Sequence, residues 1–197
     1  HDLRTPITRM KLQLAMNEQK NDKKKDLEED LNEMEKMIDS YLDFARNERE
    51  AEMVEASLFK IIQQAAKLSD PKQKNIHIIP PANEIPIFPM QVRSINRALT
   101  NLFDNAVKYS GKTNITTQVF DDHCEVFIDD NGPGIPREKR DEALLPFNRL
   151  EHSRNKDTGG TGLGLSIANN SILAHGGQLF LDESPLGGLR VKILLPL

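Results

Sequence analysis

The sequence predicts two units of different architecture: a helical hairpin that pairs into a dimeric four-helix bundle, and an α/β sandwich behind it. Three observations carry this expectation. From Leu3 to Ala45 the apolar residues recur at helical, near-heptad spacing. Past Met53 that single period gives way to short strands and helices punctuated by proline and glycine. Between them, around residues 48–56, charge is dense and no apolar stripe continues, so the boundary is placed between residues 1–52 and 53–197.

In the first unit Leu3, Ile7, Met10 and Leu14 are spaced four, three, four. A polar, lysine-rich stretch from Asn17 to Lys25 follows, with Asn21 or Asp22 as a cap, and the stripe resumes at Leu27, Leu31, Met34, Ile38, Tyr41 or Leu42, and Ala45. Two helices alone leave apolar surface uncovered. Pairing two hairpins covers it, which predicts a homodimer. The lysine run reads as a solvated turn.

The second unit begins with a helix over Ser57–Ser69, then short strands at Ile76–Ile79 and Ile85–Phe88 between prolines. A helix is expected over Met90–Ser110: Val92, Ile95, Leu99, Leu102, Phe103 and Ala106 share a face, and Gly111 stands past its end. Thr113–Phe120 and Glu125–Asp129 read as a hairpin. A helix over Gly162–His175 stops at Gly176, and strands follow at Gln178–Leu181 and Leu189–Leu195. Strands mixed with segregated helices point to a sandwich.

Composition narrows the function. Hydrophobic residues at 38% and charged residues at 28% suit a folded, soluble chain rather than a disordered one. The formal charge of −4 argues against a nucleic-acid surface, which is normally basic. The single cysteine, Cys124, excludes an internal disulfide framework and reads as a small buried hydrophobe on a strand. No apolar run reaches the roughly 18 residues of a membrane span, so no direct membrane contact is expected of these residues. The chain opens on His1 without an initiator Met, and is expected to be a piece of a longer protein.

Two glycine clusters carry the chemistry. Asp129-Asp130-Asn131-Gly132-Pro133-Gly134-Ile135 follows a strand, and Gly159-Gly160-Thr161-Gly162-Leu163-Gly164-Leu165 precedes a helix. Glycine lets backbone turn sharply and approach a ligand, and a helix start offers free N–H groups to phosphate. Neither cluster fits a dinucleotide fingerprint or a phosphate loop, and each alone is more often an ordinary turn than a nucleotide site. A third element is Asn101-Leu102-Phe103-Asp104-Asn105-Ala106-Val107-Lys108-Tyr109, where Asn101 and Asn105 share a helical face. An amide oxygen suits magnesium held mainly by phosphates and water, with Lys108 adding charge nearby; a merely polar helix face is the plain alternative. Between the clusters Pro146-Phe147-Asn148-Arg149 leads into a polar stretch whose Arg149, Arg154 and Lys156 suit a lid over phosphates, or a solvated surface.

Taken in order, these motifs resemble the Bergerat-type ATP-binding fold shared by histidine kinases, DNA gyrase, Hsp90 and MutL. His1-Asp2-Leu3-Arg4-Thr5-Pro6 resembles the H-box of the histidine kinase dimerisation domain, so the resemblance covers the whole chain. Thr8-Arg9 after Pro6-Ile7, and the tail Ser184-Pro185-Leu186-Gly187-Gly188-Leu189-Arg190, are most similar to the EnvZ-, CpxA- and RstB-like group of two-component sensor histidine kinases.

The resemblance implies ATP and Mg2+ as cofactors, a homodimer, and the receiver domain of a response regulator as partner. It implies a cytoplasmic part of a bacterial inner-membrane sensor. His1 matches the phosphoacceptor and Asp2 the acidic neighbour that orients its imidazole. Thr5, one helical turn on, matches the residue that aligns water for dephosphorylating the regulator, giving a bifunctional kinase and phosphatase. Asn105 matches the magnesium ligand, Asn101 its support, and Lys108 and Tyr109 neighbours of the nucleotide. Asp130 matches the carboxylate that meets the adenine amino group, while Gly132, Gly134, Gly160, Thr161, Gly162, Leu163 and Gly164 shape the walls, and Arg149 and Arg154 the lid.

Asp2 departs from the commoner glutamate, and Leu145 stands where a phenylalanine is frequent. His77, His123, His152 and His175 match no acceptor position and read as surface or capping residues. The rival readings are an ATP-hydrolysing clamp and a dimeric nucleotide-binding scaffold without kinase activity.

Overall fold

The computed structural model describes residues 52–146, 148 and 162–197, together with Met10, Leu31 and Met34. The chain forms two compact units, His1–Arg49 and Glu50–Leu197. In the first, Met10, Leu31 and Met34 are helical; Leu31 is buried, and Met10 and Met34 are exposed. The rest of the expected hairpin and its dimer contacts lie outside the described residues.

In the second unit the chain runs β1 (Val54–Ser57), α1 (Leu58–Ser69), β2 (Ile76–Ile78), β3 (Ile87–Met90), α2 (Val92–Tyr109), β4 (Thr113–Val119) and β5 (His123–Asp130). A 3-10 turn (Arg137–Lys139), the short α3 (Arg140–Ala143), α4 (Gly164–Ala174), β6 (Gln178–Glu183) and β7 (Leu189–Pro196) complete it. Five strands form one sheet in the order β2-β4-β5-β7-β6, with β2 and β4 parallel and every other pair antiparallel.

Strand alternation decides which face is covered. Cys124, Val126 and Ile128 of β5 pair with Leu195, Ile193 and Val191 of β7, and all six are buried. They share one core with Leu58, Ile61 and Ile62 of α1, Ile95, Leu99, Leu102 and Phe103 of α2, and Ala168 and Ile172 of α4. The three long helices therefore cover one face of the sheet. Each buried Leu, Ile or Phe contributes about 1.5–3 kcal/mol relative to exposure.

The other face is charged. There Arg190 forms a two-pronged bond with Asp129 (2.6 and 2.9 Å), and lies over the Phe127 ring at 5.0 Å. The Asp129 hydrogen bonds hold Arg190 above its ordinary pKa.

In this second unit the expected helices appear where their stripes place them, and Gly176 takes a left-handed φ of 70° just past the end of α4. The third strand begins two residues later than the sequence suggests and runs through Pro89. It pairs only with β1, an unanticipated strand, in a separate two-stranded sheet, where the missing proline N–H breaks no central ladder. Cys124 is fully buried on β5, as its bland reading requires.

Two tie points lock the helices. Asp70, at the end of α1, accepts the N–H groups of Asn75 (2.6 Å) and Ile76 (2.9 Å) and fixes the turn into β2. His175 spans α2 and α4: its Nδ1 donates to the Ser171 carbonyl (2.6 Å), so its Nε2 is free to accept the Gln91 N–H (3.0 Å). The capping role expected of His175 is thus a bridge between helix ends. Among the described residues no helix is long and apolar enough to cross a membrane.

Candidate functional site

A cavity of about 320 Å3 opens between the polar face of α2, the loop after β5, the start of α4 and the start of β7. Its floor is apolar, with Leu102, Ala106, Ile128, Ile135, Leu165, Leu189 and Val191. Ile128 and Val191 are cross-strand partners, so the sheet itself sets the floor's position. This size and mixture of apolar wall with few polar groups is typical of a small-molecule site.

One end is built on Asp130, the last residue of β5 and itself buried. Its Oδ1 accepts the N–H groups of Gly132 (2.8 Å) and Leu189 (3.0 Å). Its backbone carbonyl accepts the Gly188 N–H at 3.2 Å. The adjoining Asn131 turns its Oδ1 to the N–H groups of Gly111 (3.0 Å) and Lys112 (2.8 Å), which ties the loop to the end of α2. Arg140 steadies the far side by donating to the Ile135 carbonyl (3.1 Å) and to Asp182 (2.8 Å). A carboxylate so anchored is an acceptor of fixed direction, suited to an amino group on a flat ring.

The opposite end is built on side-chain amides. Asn101 and Asn105 both line the cavity from α2, and a Cβ on Gly164 would stand 3.4 Å from Asn105 Nδ2 and 3.9 Å from Asn101 Cβ. The first residue of α4 therefore packs on the asparagine pair, joining the second glycine cluster to the N-rich helix. Asn101 Nδ2 is buried with no hydrogen-bond partner among the described residues. An orphaned donor beside an amide oxygen and a helix start is a donor set that fits phosphate oxygens and their cation. Lys108 and Tyr109 also line the cavity, with the ammonium 4.9 Å from the ring centroid.

The structure thus brings Asn101, Asn105, Lys108, Tyr109, Asp130, Gly134, Gly162 and Gly164 to one cavity. Gly134 and Gly162 have φ of 68° and 67°, a left-handed backbone that favours glycine. Gly132 and Leu163 stand behind the wall. A Cβ on Gly132 would lie 2.7 Å from the Tyr109 carbonyl, and Leu163 is buried, its carbonyl accepting the Ile167 N–H at 2.9 Å. His1, Asp2, Thr5, Arg149, Arg154, Gly160 and Thr161 lie outside the described residues. Sequence reasoning missed Gly188 and Leu189; the adjacent pair Gly187-Gly188 was the available signal.

Residues 90–197 match the histidine kinase-, DNA gyrase B-, and HSP90-like ATPase family, and residues 1–50 match the His Kinase A (phospho-acceptor) domain. The sensor histidine kinase CpxA of Escherichia coli (strain K12) is 32% identical over all of this chain and 45% of its own length. The sensor protein RstB of the same strain is 31% identical over all of this chain and 47% of its own length. The chain therefore spans under half the length of these relatives. Among solved structures, the mycobacterial sensor histidine kinase MprB superposes with a TM-score of 0.63 at 26% identity, over 73% of this chain and 97% of that one.

Proposed function

The chain belongs to the histidine kinase-, DNA gyrase B-, and HSP90-like ATPases and is homologous to the CpxA and RstB sensor histidine kinases, and from this we propose that it phosphorylates its own His1 with Mg-ATP. The phosphoryl group then passes to an aspartate on the receiver domain of a response regulator. The observation that carries this reading is the convergence of Asp130, Asn101 and Asn105 on one cavity, in a chain that also carries a phospho-acceptor domain. That second domain favours the kinase over an ATP-hydrolysing clamp or a scaffold.

Phosphoryl transfer needs positioning and charge neutralisation more than covalent help from the protein. Asp130 would accept the adenine amino group while the apolar floor takes the ring. Asn105 and Asn101 would hold the cation and phosphates at the start of α4. Magnesium, when bound, supplies the charge that neutralises the transferring phosphate. Asp2 would accept a hydrogen bond from one His1 ring nitrogen and so leave the other unprotonated to attack. With acceptor and nucleotide on separate units, domain reorientation brings them together.

The active form is a homodimer through the hairpin, and the exposed Met10 and Met34, at stripe positions, support it. The chain is the cytoplasmic part of a bacterial inner-membrane sensor. Thr5, one turn from His1, holds water against the phosphorylated regulator and makes the protein its phosphatase as well.

Incubation with γ-labelled ATP tests the proposal: the chain should acquire acid-labile, base-stable label, and His1→Gln should abolish it with ATP affinity unchanged. Free phosphate without labelled protein would instead make it an ATPase. Thr5→Ala should spare labelling and slow regulator dephosphorylation; parallel losses would reduce Thr5 to shaping the helix before Pro6.

A further inference from the structure

The turn joining β6 to β7 reaches the Asp130 end of the cavity through a residue with no side chain. Gly188 donates its N–H to the Asp130 carbonyl (3.2 Å), and the next N–H, of Leu189, reaches Asp130 Oδ1 (3.0 Å) beside that of Gly132 (2.8 Å). Both side-chain bonds end on Oδ1, and a carboxylate anchored through one oxygen presents the other, Oδ2, in a fixed direction. A Cβ on Gly188 would stand 2.5 Å from the Gly132 nitrogen and 2.6 Å from the Asp130 carbonyl oxygen, and would also overlap Oδ1.

The two glycines of this turn are there for different reasons. Gly187 has a φ of 93° and, among the described residues, nothing within 4 Å of its missing Cβ, so it serves backbone conformation. Gly188 is not among the positive-φ residues, and what it supplies is space.

We propose that Gly188 is a positioning residue for base recognition: it lets the β6–β7 turn close on Asp130 and aim Oδ2 at the 6-amino group of an adenine nucleotide. The proposal rests on the reading that Asp130 meets that amino group. It makes base selectivity a property of a turn 59 residues away from the carboxylate that reads the base.

The test compares ATP with purine ribonucleoside triphosphate, which lacks only the 6-amino group, by calorimetric titration of the whole chain. The wild type should prefer ATP by about 10- to 100-fold, the range for a hydrogen bond to a charged group. Gly188→Ala should bring that ratio close to one while affinity for the purine analogue stays within a few-fold. Gly187→Ala should lower thermal stability through its strained φ and keep the wild-type ratio. A wild-type ratio retained in Gly188→Ala overturns the proposal. A ratio near one in the wild type, with ATP still bound, removes the Asp130 reading and this proposal with it.

If Gly188→Ala does not fold, the wild type alone decides. The amide resonances of Gly132 and Leu189 should shift more with ATP than with the purine analogue, because only ATP engages the carboxylate they anchor. Equal shifts with both nucleotides overturn the proposal.

Discussion

The two ends of the cavity are built on opposite plans. At the Asp130 end every bond named is internal: the carboxylate, its carbonyl and the neighbouring Asn131 are all held by backbone N–H groups. At the Asn105 end the polar groups are side chains on a helix, and Asn101 Nδ2 is buried without a partner among the described residues. Backbone donors held in the turns that flank the sheet and at the start of β7 have little room to relax around a wrong ligand. A buried donor left unpaired carries a desolvation cost that a phosphate oxygen would remove. On the proposed reading, selectivity belongs to the first end and binding energy to the second.

The largest expected effect would break this division at the second end. Asn105→Ala should weaken ATP binding more than about 100-fold with magnesium present, since even groups behind a metal ligand are worth about 10- to 100-fold. Without magnesium the loss should be small, and the fold unchanged. Titration in both conditions checks this; equal loss in both would move the cation elsewhere.

Asp70 provides a reference outside both ends. Asp70→Ala strands the Asn75 and Ile76 N–H groups and should cost about 1–3 kcal/mol of unfolding free energy, with ATP affinity of the folded chain intact. Burial pushes the Asp70 carboxyl up, but the N–H groups of Ile76, Asn75 and Lys74 and the charge of His77 outweigh it and hold it below its ordinary value of 3.8. A lowered folded pKa stabilises fully above the unfolded value and is lost as pH falls through the folded one. The gap between wild type and variant should therefore be constant above about pH 5 and shrink below about pH 4, in urea titrations.

Asn101→Leu sharpens the contrast itself. Replacing a buried amide whose nitrogen has no partner among the described residues by a side chain of similar size should stabilise the nucleotide-free chain by about 1 kcal/mol while lowering ATP affinity about 10-fold. A destabilised variant would mean that the amide is satisfied without nucleotide. The smallest effect belongs to Cys124, whose thiol is pushed up to about 11 by burial and then by Glu125. At pH 8 it should resist alkylation in the native chain, react once the chain is unfolded, and leave both ends of the cavity untouched.

Much of the second unit was legible from the residues alone. The stripe Ile95, Leu99, Leu102, Phe103 and Ala106 specifies α2, and the same spacing puts Asn101 and Asn105 together on its other side. Gly111 and Gly176 mark helix ends, and the alternation in β5 and β7 marks the covered face of the sheet. These signals are local, because helical and pleated periods repeat within a few residues and need no knowledge of partners.

What the tertiary structure decided is who sits beside whom. Strand β1 is only four residues long, too short for its alternation of Val54, Glu55, Ala56 and Ser57 to announce a strand, and it is its pairing with β3 that defines it. Nothing in Gln91 and His175, 84 residues apart, announces their bond. The order β5-β7-β6 carries the Gly187-Gly188 turn to Asp130, and only that neighbourhood turns a common glycine into a determinant of the carboxylate's direction. Periodicity fixes a residue's place within its own element, whereas a hydrogen bond across 59 residues depends on strand order, which no single segment encodes.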